Sequence, residues 1–186
     1  MSLKIKIIPK NANKYFYFQS LTSVAVCGNF DCGIPEYNEY LLCDALRSMS
    51  DHIAFTWLLT EQTSGKIAAY MSLIMDAIKL SFTEKELHSL NYPFRTIPAM
   101  KIAKLAVDLG FSEKYKGIGT FMIDSAERLA WACNTSYCAA RFLTVDADLE
   151  HDKGVLAFYE KNGFISNAEL YNKKRTTISM RKDIYR

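Results

Sequence analysis

Residues 106–130 read AVDLGFSEKYKGIGTFMIDSAERLA. The stretch is apolar, then charged, then narrows to Lys-Gly-Ile-Gly, then becomes periodic. Ile118, Phe121, Met122, Ala126, Leu129 and Cys133 recur at intervals of three and four, with Asp124, Glu127 and Arg128 between them, which predicts an amphipathic helix. Gly117 and Gly119 stand at its mouth. A helix start carries unpaired N–H groups and the positive end of the macrodipole, and glycine lets an anion reach them with no Cβ in the way. With its two lysines, the run Lys114, Tyr115, Lys116, Gly117, Ile118, Gly119, Thr120 suits a phosphate or pyrophosphate. Paired glycines equally serve close packing of a strand on a helix. A P-loop pattern is absent, and a dinucleotide fingerprint would need a third glycine where Met122 stands.

Upstream, AMKIAKLAVDL (99–109) predicts a strand leading directly into this loop. Downstream, AARFLTVDAD (139–148) reads as a strand and KGVLAFYEKNG (153–163) as a short helix ended by Gly163. TTISMRKDI (176–184) reads as a last strand. Before the long strand, HIAFTWLLTEQTSGKIAAYMSLIM (52–75) predicts an antiparallel hairpin turning at Ser64–Gly65. SFTEKELHSL (81–90) predicts a short helix capped by Ser81 or Thr83, and NYPFRTIP (91–98) a loop. FDCGIPEYNEYLLCDALRSM (30–49) predicts a turn at Asp31–Gly33 and a helix entered through Pro35. Its apolar stripe is Tyr37, Leu41, Leu42, Ala45, Leu46 and Met49. LKIKIIP (3–9) reads as a first strand stopped by Pro9. A hairpin half followed by β-α-β-α-β predicts a mixed α/β sheet.

The 186 residues, 49% hydrophobic and 23% charged, suit one globular domain over residues 1–186. No apolar run reaches bilayer length and the N-terminus lacks a signal-peptide pattern, so a cytoplasmic protein without membrane contact is expected. Cys27, Cys32, Cys43, Cys133 and Cys138 are odd in number with no C-x-x-C, which predicts free thiols, not a disulfide framework or a zinc site. His52, His88 and His151 have no ligand spacing, and no metal is expected. The net charge of +3 is uneven: Lys173, Lys174, Arg175, Arg181, Lys182 and Arg186 crowd the C-terminus.

The strand ending LAVD, the Gly-x-Gly that opens a helix, the next strand and AFYEKNGF (157–164) together resemble the GNAT superfamily of acetyl-CoA-dependent N-acetyltransferases. The resemblance covers residues 97–165. It implies a mixed, mostly antiparallel central sheet flanked by helices, with acetyl-CoA as cosubstrate. It also implies the coenzyme pyrophosphate on Lys114–Thr120, with Lys114 where Gln or Arg is usual. The pantetheine arm would meet the main chain of Leu105, Ala106 and Val107, and Tyr159 would stand near the thioester sulfur as general acid. Asp152 takes the place of an Asn that touches the coenzyme in many relatives.

FDCGIPEYNEYLLCDAL (30–46), GKIAAYMSL (65–73) and PFRTIPAMKIAKLAVD (93–108) further resemble the GNAT toxins of toxin–antitoxin pairs, which acetylate the α-amine of aminoacyl-tRNA. Lys104 replaces their usual Arg before LAVD, and Ala69-Tyr70-Met71 replaces Gly-Tyr-Tyr. The resemblance implies an aminoacyl-tRNA acceptor bound by Lys104, Lys173, Lys174 and Arg175, together with a small antitoxin partner, and it is compatible with a homodimer. An α-amine, with a pKa of about 7.7–8.0, is largely neutral without help, whereas a lysine at about 10.4 needs a base. Asp108 and Asp146 are the only candidate bases. A GNAT enzyme for a small amine or a protein amino group, and a non-catalytic coenzyme A module, stay open.

Overall fold

The computed structural model describes residues 14–167 and 176–185 in full, and the backbone of Ile5–Lys6. The main sheet has seven strands in the order β2-β3-β4-β5-β7-β9-β8. These are β2 (Phe16–Ser20), β3 (Phe55–Glu61), β4 (Ile67–Lys79), β5 (Thr96–Val107), β7 (Phe142–Asp148), β8 (Ile165–Ser166) and β9 (Thr177–Asp183). β1 (Ile5–Lys6) pairs in parallel with β6 (Tyr115–Lys116). The helices are α1 (Pro35–Glu39), α2 (Ala45–Ser50), α3 (Phe82–Leu87), α4 (Leu109–Lys114), α5 (Ile118–Ser136) and α6 (Val155–Lys161). The pairings β2–β3, β3–β4, β7–β9 and β8–β9 are antiparallel, and β5–β7 is parallel. This is the mixed, mostly antiparallel sheet that the sequence implied. Two compact units divide the chain, Met1–Ile74 with Ala103–Ser125 and Met75–Ile102 with Ala126–Arg186.

In the first unit, Leu21, Cys27, Phe30, Leu41, Ala45, Leu58, Ile67, Tyr70 and Ala106 form the core. Each fully buried large side chain contributes about 1.5–3 kcal/mol. The predicted hairpin is β3–β4, and Gly65 supplies the positive φ of 68° at its turn. The register steps from Leu59↔Ala69 to Thr60↔Ile67, so Ala68 is an extra residue, a bulge. Its carbonyl accepts the Asp108 N–H at 3.0 Å, which ties the bulge to the end of β5.

The helix entered through Pro35 keeps its predicted stripe except at Leu42. Between α1 and α2, residues 40–44 make one wider turn, in which the Ala45 N–H donates to the Tyr40 carbonyl five residues back. Such a turn takes an extra residue and breaks the 3.6-residue phase. Leu41 and Ala45 are buried, but Leu42 is 38% exposed.

The second unit has its core at Ile78, Leu80, Ile97, Ala99 and Phe142. Ser81 caps α3 in a capping box with Glu84, as one of the two candidate caps. Thr96, Ile97 and Pro98, read from sequence as loop, already belong to β5. The Pro98 carbonyl accepts the Arg141 N–H at 2.8 Å, a bond that needs no N–H from proline.

On β9, the buried Arg181 pairs with Glu84 at 2.8 Å, and its Nε lies 3.3 Å from His88 Nε2. A guanidinium can only donate, so His88 Nε2 accepts and its Nδ1–H faces Asp183 at 2.8 Å. Burial alone would raise the Asp183 carboxyl, but the Tyr185 N–H, Arg141 and His88 outweigh it and hold the group below its ordinary value.

Candidate functional site

The sequence places a strand directly before the glycine loop. The structure inserts a helix there. Asp108 ends β5 and caps α4, accepting the Phe111 N–H at 3.2 Å, so the chain turns helical over Leu109–Lys114 before the short β6. Asp108 also accepts the Asp31 N–H at 3.0 Å, and the Leu109 N–H donates to the Asp31 carbonyl at 2.9 Å. The predicted turn at Asp31–Gly33 is held by the Asp31 carboxylate, which accepts from the Gly33 N–H and Asn38 Nδ2, each at 2.8 Å. Those two bonds keep the Asp31 carboxyl below its ordinary value. Gly33 takes the positive φ, 81°, that closes the turn. Asp108 is thus a cap and a tie, and Asp146 pairs with Lys101 at 2.6 Å. Both candidate bases have structural partners.

At the loop itself, Gly117 has φ +89° and its carbonyl accepts the Phe121 N–H at 2.9 Å, the bond that opens α5. The amides of Ile118, Gly119 and Thr120 precede that bond, and a helix start leaves such donors outside its own ladder. α5 runs nineteen residues, so its macrodipole is well developed. Ile118, Phe121, Met122 and Ala126 of the predicted stripe are buried, and Ile123, Ser125 and Ala130 join them.

Lys114 does not extend along the loop. Its Nζ sits 3.1 Å from Glu61 Oε1 and 4.8 Å from the centroid of the Tyr115 ring. Lys116 stays exposed, with its Nζ donating to the Ser112 carbonyl at 3.3 Å. Glu61 is the residue that sequence reasoning missed, and no local pattern marks it. It also accepts from the Tyr115 hydroxyl at 3.3 Å and from Ser64 Oγ at 2.6 Å. Burial would raise its carboxyl, but the bonds from Ser64 and Lys114 and the Lys114 charge hold it low.

A group held low in the folded state stabilises above its unfolded pKa, about 4.3, and loses that effect as pH falls through the folded value. Glu61→Gln is therefore expected to cost about 1–2 kcal/mol near neutral pH, since Glu61 is buried and the exposed end of Lys114 adds little. The difference should shrink toward zero in acid. Urea unfolding of both proteins near pH 7 and near pH 3 checks this; an unchanged gap in acid would remove the charge from the account.

Along β5, Ala106 is buried while Leu105 and Val107 are half-buried. The register with β7 runs from Ala99↔Phe142 to Ile102↔Val145, and these three residues lie past it. Lys104 is half-buried with its Nζ 4.4 Å from the centroid of Tyr37 and 5.7 Å from that of Tyr40. Tyr70, in the run Ala69-Tyr70-Met71, is buried and donates its hydroxyl to the Tyr37 carbonyl at 2.8 Å. The first unit thus gathers Lys104, Leu105–Val107 and Lys114–Thr120.

Tyr159 belongs to the second unit. It lies on α6, 6% exposed, with its ring edge-on to Phe158 at 5.1 Å and to Phe164 at 5.3 Å. Its carbonyl accepts the Phe164 N–H at 3.0 Å across the turn at Gly163, where φ is 86°. Asp152 accepts the Gly154 N–H at 2.7 Å and so braces the start of α6. Lys173, Lys174 and Arg175 lie outside the described residues.

No protein-family model matches the sequence, and no curated protein does. Solved structures do match. AtaT complexed with acetyl-methionyl-tRNAfMet has a TM-score of 0.74 at 20% identity, with 91% of this chain and 95% of that chain covered. The chain has the fold of AtaT. AtaTR bound with acetyl-CoA gives a TM-score of 0.69 at 19% identity over 92% of this chain and 95% of that one. A tyrosine-to-phenylalanine mutant of KacT gives 0.71 at 19% identity, covering 90% and 95%. Identities this low make the likeness one of fold, the GNAT fold that the sequence motifs imply. Among the described residues, no helix is long and apolar enough to cross a membrane.

Proposed function

We propose that this chain is an acetyl-CoA-dependent N-acetyltransferase whose acceptor is the α-amine of an aminoacyl-tRNA, acting as one domain and countered by a small antitoxin. The observation that carries this reading is the start of α5, where a left-handed Gly117 is followed by three amides outside the helical ladder. Those amides, not the side chain of Lys114, take the pyrophosphate, because Lys114 is already paired with Glu61. The main chain of Leu105–Val107 receives the pantetheine arm as a strand would.

Tyr159 acts as general acid. The neutral α-amine attacks the thioester carbonyl, the C–S bond breaks, and the Tyr159 phenol gives its proton to the departing sulfur. The surplus proton of the amine leaves to solvent, from which the phenolate is reprotonated. No dedicated base is needed for an amine of such low pKa, which agrees with the structural partners of Asp108 and Asp146. Lys104, steadied by two tyrosine rings, and Lys173, Lys174 and Arg175 contact the acceptor phosphates. AtaT in complex with acetyl-methionyl-tRNAfMet, and AtaT bound to the C-terminus of the antitoxin AtaR, support this choice of acceptor and partner by likeness of fold.

The experiment is transfer of labelled acetyl from acetyl-CoA to charged tRNA, run beside free amino acids, polyamines and peptides. Label is expected on the tRNA. Binding of that tRNA should weaken with salt, with a log–log slope of about −0.7 to −0.9 per phosphate contacted. Label confined to a small amine would leave a plain N-acetyltransferase, and no transfer at all a coenzyme-binding module.

A further inference from the structure

The C-terminal end of α5 brings together two cysteines that the acetyl-transfer reading does not use. The chain leaves the helix by folding back onto Cys133, whose carbonyl accepts the Tyr137 N–H at 2.8 Å and the Cys138 N–H at 3.0 Å. In a continuing α-helix, residues five apart point to different faces. The bond from the Cys138 amide to the Cys133 carbonyl turns position 138 back toward position 133, and the two side chains lie within hydrogen-bonding reach of each other. Asn134 pins this geometry: its Nδ2 donates to the Ala140 carbonyl at 2.9 Å, and its Oδ1 accepts the Ala140 N–H at 2.5 Å. Cys133 is half-buried and Cys138 is exposed.

We propose that Cys133 and Cys138 form a dithiol site that is oxidised to an intramolecular disulfide by exchange with a small-molecule disulfide. The exposed Cys138 thiolate attacks one sulfur of the reagent, forming a mixed disulfide and releasing one thiol. The Cys133 thiolate then attacks the Cys138 sulfur, the internal S–S bond forms, and the second thiol departs. Two protein thiols are oxidised and one reagent disulfide is reduced to two thiols. Burial first, and the neighbouring Cys138 second, push the Cys133 thiol up, so Cys133 keeps its proton longer and serves as the resolving partner. Of the other cysteines, Cys27 is buried, the Cys32 thiol is engaged with Asn38 Oδ1 at 3.1 Å, and Cys43 is exposed on the turn between α1 and α2.

Trypsin isolates the pair on one peptide, Leu129–Arg141, which holds no other cysteine. The native chain is incubated with glutathione disulfide, free thiols are alkylated, and this peptide is weighed. The wild-type peptide is expected to lose two hydrogens and carry neither glutathione nor alkyl groups. Cys133→Ser should retain glutathione on Cys138, because nothing resolves the mixed disulfide. Cys138→Ser should leave Cys133 free for alkylation. A wild-type peptide with both thiols alkylated, or with glutathione stably on Cys138, would overturn the proposal. That readout is independent of acetyl transfer, so neither result bears on the other.

Discussion

Tyr159→Phe is expected to lower kcat by roughly 10²–10⁴ while acetyl-CoA affinity stays within a few-fold of wild type. The ring is held on two sides by Phe158 and Phe164, and phenylalanine keeps that packing. What the variant loses is the proton. A phenol with a pKa near 10 stays protonated at neutral pH and can donate to a thiolate with a pKa near 8.5 as it leaves. Loss of the acid therefore affects the chemical step more than ground-state binding. Steady-state kinetics with the acceptor proposed above, beside calorimetric titration of acetyl-CoA, separates the two. A variant with wild-type kcat would reduce Tyr159 to a core residue.

Gly117→Val is expected to weaken acetyl-CoA binding by tenfold or more. At φ +89° an L-residue is strained by about 1–2 kcal/mol, and a β-branched one by more. Relief of that strain would turn the amides that open α5 away from their present direction, and a Cβ would stand where the anion must approach. Each factor of ten in affinity is about 1.4 kcal/mol, so either effect alone reaches the expected loss. Gly119→Val tests the second effect by itself, because Gly119 carries no positive φ. Calorimetry on both variants, with circular dichroism to verify folding, is the measurement. Wild-type affinity in both would remove the loop from the coenzyme site.

The legible parts of this protein were those set by near neighbours in the chain. The phase of α5 follows from apolar spacing within a few turns, the β3–β4 turn from Ser64–Gly65, and the α3 cap from Ser81 and Glu84 three residues apart. Asp31, Gly33 and Asn38 likewise build their turn within eight residues, and Gly117 takes its positive φ directly before α5.

What the sequence could not decide were choices between local conformations of similar energy, and the direction of long side chains. LAVDLGFSEK can continue a strand or start a helix, and the choice fell to Asp108, whose carboxylate caps α4 and also ties to Asp31 across 77 residues of sequence. Lys114 could reach toward an anion or toward the sheet. Its partner Glu61 lies 53 residues away at the end of β3, opposite Phe16 of β2, and only the folded chain brings that carboxylate within reach. Lys104 found the faces of Tyr37 and Tyr40 in the same way, and Leu42 left the core because one wide turn broke the helical phase. By itself the sequence determined the helix, the glycines at its mouth and the strands β3, β4, β7 and β9, while β2, β6, β8 and the order of the sheet came only with the fold, because periodicity and capping act over a few residues. Which lysine of the loop is paired was decided by the tertiary structure alone, because ion pairs form between groups that only the folded chain places side by side.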